Sequence, residues 1–211
     1  MKILITSFGF SPKIGGIETI SSLLANGFVK ESCEVKILTE TEGIGNNTYP
    51  YEVIRKPKLI KIIKAILWSD IVFQNNLSAR YIWVNLFIRK PSVVTFQIWI
   101  DGKNKLVKLL KTLLANTFNE KLAISKFLQK KLPIRTNLMN NPFDNDLFNI
   151  GNEERDPKTL LFVGRLEWSK GCQTLIKTLK ILNKKDDNYR LFIIGDGSYK
   201  KKLEDLACEL K

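Results

Sequence analysis

Leu160–Gln173 reads LLFVGRLEWSKGCQ, and in it a buried-strand pattern, a glycine turn, two spaced cations and a helix start follow one another without a gap. Leu160, Leu161, Phe162 and Val163 form a short continuous apolar run, the pattern of a parallel strand covered on both faces. Gly164 lets the chain turn, and Arg165 and Lys170 follow. From Gln173 to Leu182 the apolar residues Leu175, Ile176, Leu179 and Leu182 recur at helical spacing. Such a strand-to-helix crossing suits an anion: unpaired amides at a helix N-terminus point toward it, arginine offers a planar fork and lysine a compact charge. A diphosphate fits that description. The same two residues also fit ordinary solvated loop charges in a lysine-rich chain, and spacing alone leaves both readings open.

A length of 211 residues suits one large domain or a domain and a half, and an apolar content of 44% is enough for a real core. The 34 basic residues outnumber the 21 acidic ones, and a net charge of +13 points to phosphate-rich partners: nucleotides, an anionic membrane or nucleic acid. No nucleic-acid recognition motif or aromatic-interleaved basic patch occurs, so no nucleic-acid partner is expected. Cys33, Cys172 and Cys208 lie far apart, without metal-ligand spacing and with no histidine to join them, so neither a zinc site nor a disulfide framework is suggested. No cofactor is expected. A reducing cytoplasm fits best. Ile3 to Thr6 read as a first strand rather than a signal peptide. Lysines interrupt every apolar run before it reaches the roughly 18 residues that a membrane span needs.

In order along the chain, residues 2–6 predict a strand, 7–16 a loop with Pro12 and the Gly15-Gly16 pair, and 17–30 a helix whose Glu18 complements the helix dipole in its first turn. The spacing of Gly9, Gly15 and Gly16 does not fit a GxGxxG dinucleotide fingerprint, which argues against a nicotinamide oxidoreductase. Further strands are predicted over 34–39, 52–55, 70–74, 92–96, 121–124 and 136–139, with helices over 58–68, 77–87, 105–116 and 125–131 between them. Strands alternating with helices indicate an α/β chain with a doubly wound parallel sheet. Asn140 to Asp156 is polar and broken by Pro142 and Gly151, which puts a domain junction there. Two more strand-helix units follow, with strands over 159–163 and 190–194, a Gly195-Asp196-Gly197 turn, and helices over 173–183 and from Tyr199 onward. The domains read as 1–150 and 158–211, the second short of the roughly five or six strands of a complete doubly wound sheet.

The stretch FVGRLEWSKG resembles the FVGRLxxxKG signature of retaining glycosyltransferases of family 4, and Gly164, Arg165, Leu166, Lys170 and Gly171 match it. GGIE, SDIVFQNN, SVVTFQIWIDG, LAISKFLQKKLP, MNNPFDNDLF and LFIIGDGSYKKKLE extend the resemblance in order over nearly the whole chain. It implies a GT-B fold: a complete Rossmann-like N-terminal domain on the acceptor side, then the first two strand-helix units of a second Rossmann-like, nucleotide-sugar-binding domain. It implies a hexosyltransferase-type enzyme that moves a sugar, with retention and without a metal, from a nucleotide-diphosphate-sugar donor to a glycan or lipid-linked acceptor, in cell-surface polysaccharide or glycolipid synthesis. Gly15, Gly16, Gly164, Arg165, Lys170, Gly195 and Gly197 are then expected around the donor diphosphate, Glu18 and Gln97 at the catalytic centre, and Asp101 and Asn141 at an acceptor or interdomain position. Where the family carries a histidine after the strand ending VVT, this chain has Phe96 and Gln97; a glutamine can donate a hydrogen bond to a sugar hydroxyl but cannot act as a base. The family's pair of glutamates eight residues apart, which holds the donor ribose and sugar, has no match, so C-terminal truncation is expected. A truncated, catalytically silent protein that keeps only acceptor or membrane binding is the alternative reading.

Lys58, Lys61 and Lys64, and again Lys105, Lys108 and Lys111, recur every three residues on helices whose other side is apolar. Such helices suit an anionic lipid surface, peripheral on the inner face of the plasma membrane, and equally a helix whose apolar side packs on the sheet while its lysines stay in water.

Overall fold

The structure, a computed structural model, describes residues 1–43, 48–100, 102, 104–151 and 154–210, with Val84 and Asn85 described by their backbone only. The chain forms two compact units, Met1–Asn149 and Ile150–Lys211.

In the first unit, β1 (Lys2–Ser7), β2 (Glu34–Thr39), β3 (Glu52–Arg55), β4 (Ile71–Asn75), β5 (Ser92–Phe96), β6 (Glu120–Ala123) and β7 (Asn137–Leu138) form one sheet in the order β3-β2-β1-β4-β5-β6-β7, every pair parallel. β1 is central: Ile3 to Ser7 are all buried, because helices cover both of its faces. α1 (Gly16–Lys30) lies on one face, where Ala25 meets Ile3, Ile5, Ile37 and Phe73. On the other face α2 (Leu59–Trp68) packs Ile62, Ala65 and Ile66 against Leu4, Leu38 and Val72, with Tyr81 of α3 (Ala79–Ile88) in the same cluster. Ile82 of α3, Ala115 of α4 (Lys105–Asn116) and Leu128 of α5 (Lys126–Lys131) continue that layer over Val94 and Phe96. The unit is thus a doubly wound sheet, one helix deep on one side and four helices wide on the other. Asn104 and Ser125 accept hydrogen bonds from the amides of Val107 and Leu128, which fixes the starts of α4 and α5.

The order of strand addition reverses between β1 and β4: from β1 the chain adds β2 and β3 on one side of the sheet and then β4 and β5 on the other, all parallel. In an open parallel sheet a crevice forms at the carboxyl ends of the strands at such a point.

The second unit has β8 (Thr159–Val163) paired in parallel with β9 (Arg190–Ile194), and α6 (Cys172–Asn183) and α7 (Lys200–Glu209) packed together over Leu166, Cys172, Ile176 and Leu203. Here the reading of β8 as a strand covered on both faces needs correction. Phe162 packs toward the helices, whereas Leu161 and Val163 are 59% and 68% exposed. Both helices take the same face, and nothing among the described residues covers the other.

Candidate active site: a glycine-lined crevice and a cationic strand-to-helix crossing

At the switch point of the first unit a cavity of about 260 Å³ is lined by Phe8, Gly9, Lys13, Ile17, Glu18, Asn75, Asn76, Leu77 and Ser78. Its floor is set by the loop between β1 and α1. Glu18, in the first turn of α1, folds its carboxylate back over that loop. A Cβ at Gly9 would stand 2.3 Å from one carboxylate oxygen, and a Cβ at Gly15 would stand 2.4 Å from the other. The two glycines leave the room that this carboxylate occupies. Gly16 begins α1, and a Cβ there would meet nothing within 4 Å.

Behind the cavity a polar chain crosses the carboxyl ends of β1, β4 and β5. Ser7 Oγ donates to the Gly9 carbonyl at 2.7 Å, Ser21 Oγ donates to Ser7 Oγ at 2.8 Å, and Asn75 Nδ2 donates to Ser21 Oγ at 2.8 Å. Asn75 Oδ1 accepts from Thr95 Oγ1 and from Gln97 Nε2, each at 3.0 Å. Gln97 and Asn141 exchange a reciprocal amide pair, 3.0 Å in each direction. Asn76, in the left-handed region at φ 66°, accepts the Gln97 amide through Oδ1 at 3.3 Å. Ser7, Ser21, Asn75 and Thr95 are buried and Gln97 and Asn141 half-buried, and at the buried members each broken bond would strand a polar group in low dielectric, which favours one geometry.

Gln97 and Asn141 are therefore brought together, and both hydrogens of the Gln97 side-chain amide already have protein acceptors. Phe96, beside it, is fully buried. Asp101 lies outside the described residues. Sequence patterning does not pick out Ser21, Thr95 or Asn75 as partners of Gln97.

In the second unit the turns after β8 and β9 are stitched backbone to backbone. The Gly164 amide donates to the Ile194 carbonyl at 3.0 Å, the Leu166 amide to the Asp196 carbonyl at 2.9 Å, and the Tyr199 amide to the Leu166 carbonyl at 2.9 Å. A Cβ at Gly195, whose φ is +155°, would lie 1.9 Å from the Gly164 oxygen, and one at Gly197 would lie 2.4 Å from the Leu166 oxygen. Here glycine is a packing requirement, and it carries the GDG turn up against the GRL turn.

Arg165 leaves β8 exposed, and its guanidinium pairs with Glu167 Oε1 at 3.1 Å. A short 3-10 turn, Trp168–Lys170, follows, and Gly171 at φ 77° swings the chain into α6. The α6 N-terminus has no side-chain cap and no acidic residue in its first turn, and exposed Lys170 stands just before it. Uncapped amides beside a free ammonium make an electropositive locus suited to an oxyanion. Cys172 opens the helix, but burial pushes its thiol up, which keeps it from serving as a thiolate. Among the described residues no group of three or more His, Cys, Asp or Glu is assembled to hold a metal ion.

Residues 143–211 match the family model described as Glycosyl transferases group 1. Over its full length the chain is 26% identical to an uncharacterised glycosyltransferase of Methanocaldococcus jannaschii, of which it spans 67%. Among solved structures, it is similar to a S. aureus TarM variant in complex with fondaparinux, alpha-GlcNAc-glycerol and UDP, with a TM-score of 0.72, 10% identity, and coverage of 99% of this chain and 75% of that one. An E. coli trehalose-6-phosphate structure bound with UDP-2-fluoro glucose superposes with a TM-score of 0.64 and 10% identity over 100% of this chain and 68% of the other. The chain is a glycosyltransferase of the GT-B kind. The α/β fold expected from the alternation of strands and helices is the fold of this GT-B enzyme, with the doubly wound sheet complete in its first unit.

Proposed function

We propose that this glycosyltransferase moves a sugar from a nucleoside-diphosphate-sugar donor to a glycan or lipid-linked acceptor with retention of anomeric configuration, as a family 4 enzyme of hexosyltransferase type serving cell-surface polysaccharide or glycolipid synthesis. The observation that carries the proposal is that one strand-to-helix crossing holds both exposed Arg165 and, five residues on, Lys170 beside the uncapped N-terminus of α6. As the sugar leaves, negative charge builds on the departing diphosphate. Groups already aimed at that charge lower the barrier, because they need no reorganisation when it develops. Arg165 would supply a planar fork and Lys170 a compact charge, so cationic side chains take the part that a metal ion plays elsewhere. Gly164, Gly195 and Gly197 hold the two turns close enough for backbone to approach the ligand.

In the first unit, Glu18 and Lys13 present opposite charges to the crevice, with Asn76 beside them as a neutral hydrogen-bonding group, a lining suited to sugar hydroxyls. Gln97, with its amide hydrogens engaged, acts in this reading by fixing Asn75 and Asn141 at the crevice rather than by moving a proton. The UDP in the TarM complex and the UDP-sugar analogue in the E. coli structure support a uridine nucleotide as the first donor to try.

Calorimetric titration with UDP, and with ADP and GDP for comparison, tests the assignment. Arg165→Ala and Lys170→Ala should each weaken binding by about 1.5–3 kcal/mol, the range for hydrogen bonds to charged groups. Unchanged affinity in both variants would remove the diphosphate from this crossing.

A further inference from the structure

The helical layer α2–α5 of the first unit has a surface that sugar transfer does not require. None of its four helices contains an aspartate or glutamate. From Val53 to Phe143 seventeen lysines and arginines stand against three carboxylates, Asp70, Asp101 and Glu120, an excess of 14 in a chain whose total is +13. The basic character of the protein thus resides in this one layer and its connections, and the rest of the chain is close to neutral. α1, on the opposite face of the sheet, carries Glu18 in its first turn.

On α4 the same layer exposes a complete apolar stripe. Leu106, Leu109, Leu110 and Leu113 follow the i, i+3, i+4, i+7 pattern that normally marks a core-facing helix, yet they are 62%, 54%, 50% and 55% exposed. The helix meets the sheet through another side, where Ala115 is its buried residue. It therefore has three sides, and Lys105 and Lys108 stand exposed on the third. The apolar exposure continues on adjoining α3, where Phe87 is 81% exposed and touches Trp83 edge to face at 6.4 Å. Solvent-facing leucines bordered by cations, with no acid on the element, make the pattern of a helix lying in a membrane interface.

We infer that the outer surface of α3 and α4 is a docking face for an anionic lipid bilayer, with the α4 leucines dipping into the boundary between headgroups and acyl chains while Lys105 and Lys108 pair with lipid phosphates. Charge complementarity selects this occupant: a face rich in lysine and lacking carboxylates matches an anionic leaflet. No described helix is long and apolar enough to cross a membrane, and the inferred docking is to the bilayer surface. The inference stands apart from the donor-site assignment.

Co-sedimentation with vesicles tests it, comparing phosphatidylcholine alone with phosphatidylcholine mixed with phosphatidylglycerol. The protein should bind the mixed vesicles far more tightly, with binding that declines as salt rises. Lys105→Gln with Lys108→Gln should weaken partitioning by about 10–30-fold, from roughly fivefold per lysine near the leaflet. Leu109→Ser with Leu113→Ser should remove the binding that survives high salt, whereas Lys30→Gln on the opposite face should change nothing. Circular dichroism and melting temperature establish that the variants fold, and the salt series on the unaltered chain decides the question without them. Equal partitioning to both vesicles, or binding to neither, overturns the proposal. So does a stable dimer in light scattering that Leu109→Ser with Leu113→Ser abolishes, because a second copy would then be the partner of the leucines.

Discussion

Arg165 already has a counter-ion, and that shapes what a ligand must do. Its exposed pair with Glu167 is worth about 0.2–1 kcal/mol, so an arriving diphosphate gains a stronger partner for the guanidinium but also meets the carboxylate. Glu167→Gln removes the competitor and the repulsion together, and UDP affinity measured by calorimetry should rise about two- to fivefold; a fall would mean that Glu167 orients the guanidinium instead. Gly197 is tested differently. Gly197→Ala would put a Cβ 2.4 Å from the Leu166 oxygen, and relieving that contact between two backbones should cost about 1–3 kcal/mol in urea unfolding. Asp186 gives a titration prediction: the hydrogen bond from Lys158 and those from Asn188 hold its carboxyl at about 2, below the ordinary 3.8. A depressed carboxyl stabilises the fold above its unfolded value, and that contribution is lost as the pH falls from about 4 through about 2. Carboxyl NMR should find the low value, and Lys158→Ala should return it toward 3.8.

At the level of elements, burial separates helices that look alike in sequence. α2 and α4 both alternate leucine or isoleucine with lysine at three-residue spacing, but Ile66 of α2 is 1% exposed and Leu109 of α4 is 54% exposed. Ile66→Ala should therefore cost about 2–5 kcal/mol in chemical denaturation, and Leu109→Ala should stay within about 0.5 kcal/mol. The sequence could not make this distinction, because periodicity reports that a helix has an apolar side and says nothing of which neighbour covers it. It did make the elements themselves legible. Each strand from β1 to β9 and each helix from α1 to α7 lies within about two residues of its expected bounds, since apolar runs broken by glycine, proline and asparagine mark both periods clearly. The 3-10 turn at Trp168–Lys170 escaped notice because three residues carry no period. The network joining Ser21, Asn75, Gln97 and Asn141 was also illegible: its partners stand 22 to 54 residues apart, and hydrogen bonds across strands leave no local pattern. Arg165, Lys170 and the paired glycines were readable because one turn holds each group in sequence.

For the whole molecule, the two units differ in how much backbone they shield. In the first, β1 has neighbours on both sides and helices on both faces, and Leu4, Ile5, Ile37, Leu38, Val94 and Phe96 are all fully buried. In the second, two strands carry a core of Leu166, Cys172, Ile176 and Leu203, and Leu161, Val163, Phe192 and Ile194 remain more than half exposed. A two-stranded sheet with one bare face gains little from apolar burial, and its ladder has few bonds to lose when it opens. Local opening should therefore need less free energy in β8 and β9 than in β1 and β4. Amide hydrogen exchange on the 211-residue chain reads this directly, because the protection of each amide scales with the free energy of the opening that exposes it. The amides of Leu4, Ile5 and Phe73 should exchange about a hundredfold more slowly than those of Leu161 and Phe192, a difference of about 3 kcal/mol in opening free energy. Addition of UDP should slow exchange in β8 and in the turn through Lys170, because a ligand held there stabilises the closed state by mass action. Equal protection in the two sheets would mean that the bare face of β8 and β9 is covered in solution, and a ligand effect confined to β1 and β4 would shift the nucleotide to the crevice of the first unit.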